Sequence, residues 1–135
     1  GSMGGTGALT FTTLHPELID AVVAINGTAD LVHYTRFSDA IAQSFGGSRA
    51  EVPDQYRKRS ALYFAERFTM PLAVTTGGQD LSVPPSSVLK LVAQIGSRNP
   101  HVLSIHRPQV GHSTNYEDTK AALEFVIDRS DRRGR

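Results

Sequence analysis

Three residues of this chain have the types and settings that nucleophilic catalysis needs. Asp80 stands in Gly77-Gly78-Gln79-Asp80-Leu81-Ser82-Val83-Pro84-Pro85, directly after an apolar run. His112 stands in Val110-Gly111-His112-Ser113, after another such run. Ser2 stands in Gly1-Ser2-Met3-Gly4-Gly5, just ahead of a helical stretch. A serine hydroxyl is a weak nucleophile at neutral pH and requires a base beside it. An imidazole can take its proton and return it to a leaving group, while a carboxylate holds the ring in the useful tautomer. Taken singly, each residue has an ordinary reading: Ser2 as a frayed terminal residue, Asp80 as a turn residue or helix cap, His112 as a loop histidine. A site exists only if the fold brings the three together.

The elements predicted around them alternate. Residues 4–14 are small or apolar, with helical spacing at Ala8, Leu9, Thr12 and Thr13. Pro16 limits that helix, because the residue before a proline avoids the αR region. Residues 21–25 form a continuous apolar run ending at Asn26-Gly27, the mark of a buried strand. Residues 30–45 predict a helix with Leu31, Tyr34, Phe37, Ile41 and Phe45 near one face, and residues 53–68 are irregular to helical. A strand follows over 71–76, a helix opened by Pro84-Pro85, a third strand over 101–106 and a last helix over 116–128. This order predicts an α/β fold with a parallel sheet of about three strands covered by helices. Right-handed crossovers place every strand's C-terminal end on one edge, where ligands of open α/β sheets bind. Asp80 and His112 both follow predicted strands. Asp30 does too, and is the alternative acid. The remaining histidines read as ordinary: His15 at a helix end, His33 in a helical stretch, His101 and His106 flanking a strand.

Composition removes other classes. The net charge is +1, yet Arg129, Arg132, Arg133 and Arg135 all lie in the final seven residues. The body is therefore slightly acidic, against a nucleic-acid partner. Residues 129–135 are expected to form a basic, disordered tail. No apolar run approaches the roughly 20 residues of a membrane helix. The absence of cysteine excludes disulfides, thiolate metal sites and cysteine nucleophiles. No histidine pair has helical i, i+4 spacing with a carboxylate partner, which argues against zinc. Gly5-Thr6-Gly7 begins a dinucleotide-type glycine pattern, but Thr10 occupies the last glycine position and no P-loop lysine accompanies it. No metal or organic cofactor is implied.

Taken together, the three motifs resemble the C-terminal half of an α/β-hydrolase, most similar to the prolyl-oligopeptidase-like and esterase-like branches. Gly1-Ser2-Met3-Gly4-Gly5-Thr6-Gly7-Ala8-Leu9 resembles the nucleophile elbow G-x-S-x-G and its helix. The order Ser, Asp, His is the family's, and the resemblance covers residues 1–128. It implies hydrolysis of small ester or peptide substrates through an acyl-enzyme. Ser2 would be the nucleophile, His112 the base, Asp80 the orienting acid and the Met3 N–H an oxyanion donor. The pattern departs at the start, where only Gly1 precedes Ser2. The family's glycine two residues before the serine, its nucleophile strand and its second oxyanion donor have no counterpart here. Gly1-Ser2-Met3 reads either as a cloning scar or as the edge of a longer protein, and the unbroken run into Leu9 favours a native serine. The alternative function is a catalytically silent module or one half of a split domain. Its unpaired sheet edge would then take a second copy or a complementing N-terminal half. Residues 30–68 read equally as core packing or as a cap, with Tyr34, Phe37 and Tyr56 as substrate-binding candidates.

Overall fold

A computed structural model describes residues 1–133. The elements run α1 (Met3–Leu14), β1 (Val22–Ile25), α2 (Ser38–Phe45), α3 (Pro53–Lys58), β2 (Leu72–Gly77), α4 (Ser86–Gly96), β3 (Val102–Arg107) and α5 (Tyr116–Arg133). Short 3-10 turns occupy Pro16–Leu18, Ala61–Tyr63 and Ala65–Arg67.

The strands form one parallel sheet in the order β1-β2-β3. Leu72 of β2 pairs with Val22 on one side and Val102 on the other. Every residue of β2 is buried, including Thr75 and Thr76, whose hydroxyls meet Asn26 Oδ1 at 3.3 Å and His106 Nδ1 at 2.8 Å. On one face Leu9 of α1 and Val88, Leu91 and Ile95 of α4 pack on Val22, Ala24, Leu72 and Val74, with Phe68 and Met70 closing the end. The spacing of 88, 91 and 95 is one stripe of a helix. On the other face Ala122 and Val126 of α5 cover Ala73. All three strands thus end on the same edge, and the segments that follow them carry Asp30, Asp80 and His112.

Two elements differ from the sequence expectation. The helix predicted over 30–45 exists only as Ser38–Phe45. Asp30 Oδ1 accepts the N–H groups of Val32 at 3.0 Å and His33 at 3.2 Å, a local turn that competes with helix. Phe37 then adopts left-handed backbone, φ 54°. The helix predicted to stop at 128 continues to Arg133, so residues 129–133 are helical rather than a disordered tail. The Arg129 guanidinium lies 4.4 Å from the Phe125 ring centroid one turn earlier, which favours continuation. The last two residues of the expected tail lie outside the described residues.

The loop carrying His112 is closed at its base by an ion pair. Arg107, ending β3, donates to both Asp118 carboxylate oxygens, at 3.0 and 2.6 Å. Asn115 Oδ1 caps α5 by accepting the Asp118 N–H at 2.7 Å. Hydrogen bonding to Arg107 holds the Asp118 carboxyl below its ordinary range. A lowered folded-state value means that this stability is present above the unfolded value, about 3.9, and is lost as pH falls through the folded one. Urea unfolding should therefore show Asp118→Asn less stable than wild type at neutral pH. The gap should close in strong acid.

Candidate active site

Ser2 occupies a sharp turn immediately before α1. Its backbone, φ 52° and ψ −116°, lies where non-glycine residues are strained. The turn is anchored to the sheet, because the Ser2 N–H donates to the Ile25 carbonyl at the end of β1 at 2.7 Å. Close approach of α1 to the turn after β1 depends on a glycine pair. A Cβ on Gly5 would stand 2.7 Å from the Ile25 carbonyl oxygen, and one on Gly27 would stand 2.5 Å from the Thr6 nitrogen. Gly4, by contrast, faces open space. The Met3 N–H belongs to the first turn of α1, whose donors have no intrahelical acceptor.

Asp80 is 3% exposed and follows β2. Its Oδ1 accepts the N–H groups of Ser82 at 2.9 Å and Val83 at 2.8 Å. Its Oδ2 lies 2.6 Å from His112 Nδ1. The His112 loop is joined to the Asp80 loop by backbone bonds, Gly78 N–H to Arg107 and Gln79 N–H to Val110, both at 2.9 Å. The other ring nitrogen of His112, Nε2, lies 2.8 Å from Ser2 Oγ. With a carboxylate at Nδ1, the proton belongs on Nδ1, and Nε2 presents a lone pair to the Ser2 hydroxyl. The three side chains thus form a continuous line from a buried carboxylate to an accessible serine, geometry suited to proton abstraction.

A cavity of about 370 Å³ opens beside Ser2. Met3, Leu31, Phe37, Ile41, Phe45 and Val83 give it apolar walls, and among the described residues no charged side chain lines it. Tyr34 and Phe37, both expected to bind substrate, do line it. Tyr56 does not. It is 2% exposed in the core, with its hydroxyl donating to the Gly47 carbonyl at 3.0 Å, so that expectation is corrected. Its ring packs edge-on against Phe45, 4.9 Å between centroids, so Tyr56 supports a residue of the cavity wall instead of lining the cavity itself. Leu31, Ile41 and Phe45 carried a sequence signal as the apolar face of residues 30–45, but as core positions. Val83 carried none beyond its place three residues after Asp80. Asp30 does not reach His112. It pairs with His33 at 2.7 Å, beside a second cavity of about 260 Å³.

Residues 1–127 match the model of the prolyl oligopeptidase family. The chain belongs to that family. Solved structures agree at the level of the fold. Dipeptidyl peptidase 4 of Porphyromonas gingivalis superposes with a TM-score of 0.77 at 19% identity, over 95% of this chain and 18% of that one. Puromycin hydrolase gives 0.74 at 24% identity, over 98% of this chain and 21% of that one. Acetyl xylan esterase 1 from Thermoanaerobacterium sp. gives 0.68 at 18% identity, over 94% and 43% respectively. The chain therefore spans about a fifth of the length of the first two relatives. Among curated proteins no sequence matches significantly.

Proposed function

We propose that this family member is a serine hydrolase whose triad is Ser2, His112 and Asp80, acting on ester or peptide bonds through an acyl-enzyme. The observation that carries this reading is the line of two hydrogen bonds, 2.6 Å from Asp80 to His112 and 2.8 Å from His112 to Ser2. In the first step Ser2 Oγ attacks the carbonyl carbon and its proton passes to His112 Nε2. Asp80 stabilises the imidazolium through Nδ1–H. The Met3 N–H, at the positive end of α1, donates to the developing oxyanion. His112 then protonates the leaving group. Water, deprotonated by the same nitrogen, releases the acyl group and regenerates the Ser2 hydroxyl.

The uncharged, apolar cavity beside Ser2 favours a neutral hydrophobic group next to the scissile carbonyl. Residues 30–68 then serve as a partial cap, with Tyr34 and Phe37 contributing to the pocket. The relatives' names include both peptidases and an esterase, so both bond types are retained.

The test is labelling by a fluorophosphonate probe, with the modified residue located by peptide mass mapping. Adduct on Ser2 is the expected result. A folded chain that takes no adduct, or takes it elsewhere, overturns the proposal. It would favour the second reading, a silent module whose edge strand β1 pairs with a second copy or with a complementing N-terminal half.

A further inference from the structure

Tyr34 lines the apolar cavity, yet its hydroxyl does not end there. It donates to the Ser82 carbonyl at 3.0 Å, across 48 residues of sequence. That carbonyl belongs to the peptide unit whose N–H, on Val83, donates to Asp80 Oδ1 at 2.8 Å. Tyr34 and Asp80 therefore hold opposite ends of one peptide group. Hydrogen bonds in series through a peptide polarise one another, so a donor on the carbonyl strengthens donation by the N–H.

We propose that Tyr34 is a positioning residue that acts through the Ser82–Val83 peptide to hold Asp80 against His112, tying the pocket wall to the acid loop as one unit. This rests on the triad reading above. Tyr34 is itself held from behind, because the Arg49 guanidinium donates to its backbone carbonyl. Arg49 in turn lies over the Tyr56 ring, 5.6 Å from its centroid. A line of contacts thus runs from the core at Tyr56 through Arg49, Tyr34 and Ser82 to Asp80. Val83, at the far end of the bridging peptide, is buried and also lines the cavity. A group filling the cavity consequently presses on two residues that fix the carboxylate. Burial raises the Tyr34 pKa above its ordinary value, with Arg36 opposing and Asp80 adding to the rise, so the hydroxyl stays a donor at neutral and mildly alkaline pH.

Tyr34→Phe separates this role from wall packing, since the ring stays and only the hydroxyl leaves. Two readouts are needed. The first is the rate of Ser2 modification by a short-chain and a long-chain alkyl fluorophosphonate. The second requires no activity: the ring-nitrogen chemical shifts of His112, which report which nitrogen carries the proton. The variant should lower both labelling rates by about 10-fold, roughly the worth of one hydrogen bond, with their ratio unchanged. The ring shifts should move away from a pure Nδ1–H tautomer. Unchanged labelling, or unchanged ring shifts, overturns the proposal. A change in the ratio would also overturn it, because the hydroxyl would then be reading the ligand rather than the acid loop. If the wild-type chain takes no label, the triad reading fails on its own, and the ring shifts still decide whether Tyr34 aligns Asp80.

Discussion

Asparagine at position 80 should slow the modification of Ser2 by about 10⁴-fold while leaving the fold intact, the order seen when a triad carboxylate becomes an amide. The size of the effect follows from the two jobs of Asp80. One oxygen accepts two backbone N–H groups, from Ser82 and Val83, and the other meets His112 Nδ1. Asparagine has a single carbonyl oxygen. If that oxygen stays on the two backbone donors, the amide NH₂ faces Nδ1. The imidazole then has to place its proton on Nε2, where it cannot accept the Ser2 hydroxyl proton. If the amide turns the other way, its NH₂ meets two N–H groups in a site that is 3% exposed, an expensive arrangement. The loop therefore selects the wrong tautomer. Labelling rates and the His112 ring shifts check this together. A rate within tenfold of wild type would mean that Asp80 does not orient the base.

Alanine at Gly77 should give the largest loss of stability of any single methyl added near the site. Gly77 ends β2, and a Cβ there would stand 2.1 Å from the Gly111 carbonyl oxygen and 2.5 Å from that of Val110. Both are backbone atoms, with no side-chain rotamer to yield. The methyl has to push away the segment that immediately precedes His112. Overpacking of this kind costs about 1–3 kcal/mol, occasionally more, and the upper end applies where backbone must move. Chemical denaturation should show that loss, and Ser2 labelling should fall with it as His112 is displaced from Asp80. Gly96→Ala is the control, because nothing lies within 4 Å of a Cβ at the end of α4. Wild-type stability and labelling in Gly77→Ala would contradict the packing of these two loops.

Much of this molecule was legible along the chain. The strands announced themselves as short runs rich in apolar and β-branched residues, a local property of residues 21–25, 71–76 and 101–106, even though β2 carries buried Thr75 and Thr76 and β3 is only half-buried. Parallel pairing followed from alternation with helices. Parallel pairing in turn put Asp80 and His112 on one edge. The helical stretch at 30–45 misled because apolar spacing does not register an Asx turn at Asp30 or left-handed backbone at Phe37. The final helix ran longer than expected because a charged sequence carries little apolar signal, while an arginine over an aromatic ring one turn back still favours helix.

Residue types and short-range patterns were enough for the α/β class and the alternation of strands and helices, and the motif resemblance singled out Ser2, Asp80 and His112 as candidates, with Asp30 as the alternative acid. Those depend on residue type and on neighbours a few positions away. Only the tertiary structure decided between Asp80 and Asp30 as the partner of His112, since that choice rests on which loop the backbone bonds from Gly78 and Gln79 join to the histidine loop. Only the tertiary structure sorted the aromatics as well, placing Tyr34 and Phe37 in the cavity wall and Tyr56 in the core. All three are amphipathic or apolar residues in one segment, and their sequence positions look alike. What separates them is contact across tens of residues, such as the bond from Tyr34 to Ser82, and such contacts leave no periodicity to read.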